Sequence, residues 1–251
     1  MNKNDQIKYE HMQSGYRDSD GARMHNFLAC WKQQTTHFVD TRGQNTLYNA
    51  TSIAEHNEKL TPSVLNFYRE ASRVGWLSAF DAKHKNRFKS IGDIKLFKES
   101  EPLSYEILKA SPPENNPPDA QYYVYNKSQS GDLDSLIRWN ELDSMLNIGG
   151  EGHGIIYNLI PNEKSLDGEF QALFYSPHGL IVKFKSFAHL LVNLYLEEYQ
   201  RLRGLDGSMG HIFYFKGDWK DTCVPLLFDM EEIESWKERV PGDNYRAPFS
   251  S

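Results

Sequence analysis

Cysteine is scarce in this chain. Cys30 and Cys223 are the two among 251 residues, they lie far apart, and no C-x-x-C spacing occurs. Neither a disulfide framework nor a zinc site is suggested by that usage. Long apolar runs are missing too, since no stretch reaches the roughly 20 residues that a membrane helix needs. The opening "MNKNDQIKYEHMQSGYRDSDGARM" has no apolar segment of the kind a secretory signal carries. The expectation is a reduced, cytoplasmic protein with no membrane partner. An excess of positive charge is also lacking. The 28 basic residues face 34 acidic ones, for a formal net charge of −6. A balance of that sign gives no electrostatic footprint for nucleic-acid phosphates. It favours a basic partner, because opposite fields speed encounter.

Helical and strand patterns fill most of the rest. After a polar start expected to be frayed, Met24, Phe27, Leu28 and Trp31 recur at helical spacing. Ser52 and Glu55 form a capping-box pattern for a short helix running toward Leu60. In "LTPSVLNFYREASRVGW", Thr61 stands at a cap position, Pro62 follows it, and Val64, Phe67, Tyr68 and Ala71 form one apolar stripe. "DIKLF" (93–97) and "QYYVY" (121–125) have strand composition, and "SPPENNPPD" (111–119) between them reads as an exposed insertion. "GIIYNLI" (154–160) predicts a buried strand. "EFQALFYSPHGLIVKF" alternates on both sides of a Pro-His-Gly turn and predicts a hairpin. A helix capped by Ser186 and closed by Gly204 follows, then the short strand "HIFYF" (211–215) and a helix opened by Asp229. Helices first, an antiparallel sheet second and a closing helix third make an α+β fold.

Catalytic and ligand motifs fail one after another. "NIGGEGHGIIYNL" (147–159) spaces Gly149 and Gly154 like a phosphate loop, but Ile155 and Ile156 stand where Lys and Ser/Thr belong. The dinucleotide pattern fails at the same Ile155. His153 beside Glu151 lacks the i, i+4 partner of a metalloprotease helix. Asp132 and Asp134 open like a calcium loop, which Leu136 and Ile137 then break. No serine lies in G-x-S-x-G. Glu197–Glu198 and Glu231–Glu232 read as solvated helix faces, and Cys30 as a small core residue. No catalytic residue, metal ligand or cofactor is expected.

The order of the elements carries more. A helix opening Leu-Thr-Pro-Ser, the glycines Gly149, Gly150, Gly152 and Gly154 leading into an apolar strand, a hairpin, and a last helix beginning Ser186-Phe187 together resemble the SUKH superfamily. That group includes the Smi/Knr cell-wall regulators, the Syd proteins and many bacterial toxin-immunity proteins. The likeness covers about residues 50–204, with Asn158 where the family pattern carries an acidic residue. It implies a mostly antiparallel sheet flanked by helices; outside the likeness, an N-terminal helical extension (1–49) and a C-terminal strand-helix extension (205–251) are expected to pack on the same domain. It also implies a non-enzymatic protein that binds a cognate toxin, typically a nuclease, or alternatively a regulatory scaffold that binds host proteins. The four glycines then shape the sheet, since glycine allows positive φ and close backbone approach. From Ser128 to Gly154 the chain holds Asp132, Asp134, Glu141, Asp143 and Glu151 against the single base Arg138, with Trp139 among them. An acidic stretch around an aromatic anchor suits a basic partner, so Asp132, Asp134, Trp139, Glu141, Asp143 and Glu151 are the candidate partner-binding residues.

Overall fold

The computed structural model describes residues 13–35, 60–74, 88–110, 139–151, 154–176, 180–204 and 218–233. In chain order it places α1 (Ala22–Thr35), α2 (Pro62–Arg73), β1 (Lys95–Leu96), α3 (Phe97–Ser100), α4 (Pro102–Ala110) and α5 (Trp139–Leu142). β2 (Leu146–Glu151), β3 (Ile155–Lys164), β4 (Phe170–Ser176) and β5 (Leu180–Phe184) follow, then α6 (Phe187–Arg203) and α7 (Val224–Leu227). The five strands form one sheet in the order β1-β2-β3-β4-β5, every neighbour antiparallel. The α+β class expected from the sequence is therefore the class observed.

Both faces of the sheet are covered, and strand alternation decides which residue goes where. Tyr157, Leu159, Ala172 and Phe174 join a core with α1, α2, α6 and α7. Ile156, Ile160, Leu173 and Tyr175 point the other way, into a second core with Phe97, Tyr105, Leu142 and Met145. Side chains alternate with period two along a strand, so an apolar run such as Ile155–Ile160 supplies both layers. In the larger core Phe27, Trp31 and Tyr195 meet edge to face at 5.5–5.6 Å between centroids. Tyr157 and Phe174, opposite each other in the β3–β4 register, lie 5.8 Å apart. Burying each such ring stabilises the fold by roughly 2–3 kcal/mol. The apolar stripe read in α1 is real: Met24, Phe27, Leu28 and Trp31 are all fully buried. One core thus takes residues from Tyr16 to Ile233, on both sides of the 50–204 region.

Several expectations are corrected here. The polar start is packed from Ser14 onward, because Asp18 caps α1: its Oδ1 accepts the N–H of Gly21 at 3.0 Å and its Oδ2 that of Met24 at 2.8 Å. Only Lys95 and Leu96 of "DIKLF" are strand. Asp93 ends a short 3-10 turn and Phe97 begins α3, its ring fully buried in the second core. Thr61 occupies the N-cap position of α2 in extended backbone but makes no side-chain capping bond. Cys30 and Cys223, read as unlinked, form a disulfide between α1 and the residue preceding α7, with Cα atoms 5.8 Å apart. Spacing in sequence, 193 residues here, says nothing about that proximity. Residues 52–59 of the expected short helix, the insertion 111–119 and the expected strands at 121–125 and 211–215 fall outside the described residues.

Candidate partner-binding surface

The glycine-rich stretch proves to be strand and hairpin. Gly149 and Gly150 lie within β2, paired with Tyr157 and Ile156. Asn147 pairs with Asn158, so Ile148 is an extra residue on β2 and the register shifts there. The bulge is used on its other edge: the carbonyl of Ile148 accepts the N–H of Lys89 at 2.9 Å, and Phe88 bridges to Gly149. A Cβ on Gly150 would stand 2.2 Å from the backbone oxygen of Ile155. No side chain fits that position. Gly154 has φ of +80°, a left-handed conformation suited to glycine. Gly152 and His153 lie outside the described residues. The described part of the stretch thus holds β2 and β3 in close antiparallel contact.

Of the candidate partner-binding residues, Asp132 and Asp134 lie outside the described residues. Trp139 opens α5, and Glu151 ends β2 opposite Ile155. Glu141 is buried, at 2% exposure, and its carbonyl closes the turn that admits Met145. It does not belong to an exposed rim. The reason is local: a helix of one turn that packs Leu142 and Met145 into the second core carries its neighbour inward. Asp143 is exposed and accepts a hydrogen bond from the Tyr105 hydroxyl at 2.6 Å. That bond holds its carboxyl below the usual carboxylate range. Lys109 reaches the same hydroxyl at 3.3 Å, so a cation sits close to this acid.

Two of the four glutamates read as solvated are not. Glu197 and Glu231 are exposed. Glu198, however, is buried and accepts the indole N–H of Trp31 at 2.9 Å. Glu232 pairs with buried Lys185 at 3.1 Å. α6 is buried over most of its circumference, which a helix read from one apolar stripe does not reveal.

Two polar groupings escaped sequence reasoning. Ser186 Oγ lies 2.8 Å from His189 Nδ1, and His189 Nε2 is 4.0 Å from Glu232. A serine, a histidine and a carboxylate invite comparison with a hydrolase triad. Both Ser186 and His189 are wholly buried, however, and their spacing across the first turn of α6 is that of a helix-capping pair. A nucleophile there meets no substrate. The second grouping centres on Glu169, also wholly buried. Its carboxylate accepts the N–H of Ser63 at 2.8 Å and meets the Ser63 hydroxyl, and so caps α2 from 106 residues away. Burial raises its pKa to about 7 against the opposing pull of the Ser63 bonds. Asp167 in the same β3–β4 turn takes the N–H of Ser14 at 3.0 Å and its hydroxyl at 2.6 Å. Tyr16 lies close by, its hydroxyl bonded to Asp18 and Asn66. Burial, and then the charge of Asp18, push its pKa well up. These groups tie the N-terminal segment, α2 and the β3–β4 turn together. No local pattern marks Glu169. The sequence places Thr61 at the cap of α2, and only the structure shows that its side chain makes no capping bond and that Glu169 takes the role.

Among the described residues no group of three or more His, Cys, Asp or Glu side chains gathers as a metal site, and no helix is long and apolar enough to cross a membrane. Comparison with protein-family models, with curated proteins and with solved structures finds no match for this chain.

Proposed function

We propose that this chain is a non-enzymatic immunity protein that binds and neutralises a cognate bacterial toxin, a basic nuclease delivered by a neighbouring cell. The observation that carries the reading is the net charge of −6 on a chain with the SUKH-like order of helix, glycine-rich strand, hairpin and Ser-Phe helix. An acidic surface suits the basic cleft that a nuclease turns toward its own substrate. The burial of Ser186 and His189 supports binding over hydrolysis. On this reading the protein acts in the cytoplasm, needs no cofactor and has no nucleic-acid partner. The candidate contact residues are Asp132, Asp134, Trp139, Asp143 and Glu151.

The test is co-expression with the gene that adjoins this one. If that neighbour encodes a toxin, this chain should restore growth to cells expressing it, and a toxin from an unrelated locus should remain lethal. If no toxin gene adjoins it and no rescue occurs, the Smi/Knr-type scaffold becomes the better reading.

A further inference from the structure

We propose that the Cys30–Cys223 bond is a redox-dependent clasp. Closed, it holds the C-terminal segment 218–233 on α1; reduced, it lets that segment leave ahead of the rest of the fold. The inference is independent of the immunity reading.

Placement supports it first. Cys30 lies on α1 and Cys223 just before α7, and the whole sheet falls between them in sequence. The segment packs through buried Trp219, Val224, Leu227, Phe228 and Ile233. Its polar ties run to helices and to the chain before α6. Arg23 of α1 bonds Asp229 at 2.8 Å, and Lys185 bonds Glu232 at 3.1 Å. The N–H of Cys223 donates to the Tyr195 hydroxyl at 2.9 Å, which in turn donates to Gln34 at 2.7 Å. The described strands pair with one another without it, so losing it breaks no rung of the ladder. A unit attached in this way can open below the global unfolding free energy.

Access supports it second. Cys30 is partly exposed, whereas Cys223 is wholly buried. A dithiol reductant would attack at the Cys30 sulfur, forming a mixed disulfide and releasing the Cys223 thiolate, which takes up a proton. The reductant's second thiol then displaces Cys30. Two electrons pass to the protein, two protein thiols result, and the reductant ends as its own disulfide. The reverse reaction, driven by a small-molecule disulfide such as oxidised glutathione, closes the clasp. In a compartment that keeps thiols reduced the pair stays open, and it closes on exposure to oxidant.

Hydrogen exchange read by mass spectrometry on the full chain tests this, with and without dithiothreitol. Reduction should speed exchange over 224–233 by tenfold or more while leaving 155–176 unchanged. The Cys30→Ser/Cys223→Ser double variant should show the fast exchange under both conditions. Should that variant fail to fold, reduced wild type gives the same reading. Equal exchange over 224–233 in both redox states would overturn the proposal, as would acceleration spread evenly over 155–176. Two alkylatable thiols after denaturing protein treated with oxidised glutathione would overturn it as well.

Discussion

Glu169 shows how much one side chain decides. It is wholly buried and its pKa is raised to about 7, so the folded state retains a proton that the unfolded chain gives up near the ordinary carboxylate value. Its contribution to stability is therefore fully present below that value and is lost as pH rises toward about 7. The loss amounts to about 3 kcal/mol for a shift of this size. Glu169→Gln keeps the shape and removes the titration. Melting curves of wild type and variant should coincide near pH 4 and separate between pH 5 and pH 7.5 with the variant the more stable. Parallel curves across that range would show that Glu169 is ionised in the fold. Gly150 is the second decisive residue. Gly150→Ala forces a Cβ against the Ile155 carbonyl and should cost roughly 2 kcal/mol or more. Gly154→Val, strained by its positive φ, should cost roughly 1 kcal/mol or more. Urea melts of both variants check this. A Gly154→Val protein that melts like wild type yet loses its partner would make the turn a contact site.

At the scale of elements, periodicity was readable and proximity was not. The stripe of α1, the β3 run, the β4–β5 alternation and the Gly204 stop of α6 all follow from local pattern, and each element stands where that pattern puts it. What local pattern lacks is a partner. Glu198 reads as surface because it stands beside Glu197 as one of a pair of carboxylates on a helix, and only tertiary packing brings Trp31 to it. The same blindness hides the cap of α2, the disulfide and the burial of Glu141. Of the candidate surface, Asp143 was legible as an exposed acid, whereas its tie to Tyr105 was not. A direct check lies on α6. Glu198→Lys sets a cation against the Trp31 N–H in a buried site and should destabilise by roughly 3 kcal/mol. Glu197→Lys should change stability by no more than about 0.5 kcal/mol. Equal effects of the two reversals on thermal melting would mean that this face of α6 opens to solvent.

At the scale of the whole molecule, a sheet covered on both faces and an excess of acid over base suit a surface that meets a partner as a rigid body. Charge should then govern the rate of encounter more than the final affinity. On the proposed immunity reading, in which the neighbouring gene encodes a toxin, the double reversal Asp132→Lys/Asp134→Lys should slow association with that toxin and flatten its dependence on salt, whereas Glu197→Lys should leave both unchanged. Stopped-flow mixing at two salt concentrations reads this, and damage from Glu197→Lys alone would move the interface to the α6 face. The central claim, neutralisation by binding and not by chemistry, is tested most directly by titrating a fixed amount of that toxin's activity with the purified chain. Inhibition should rise linearly and end at a fixed stoichiometric ratio, and the toxin should be recovered intact and active on dissociation. Full inhibition at a small fraction of that ratio, with the toxin left covalently altered, would contradict the account.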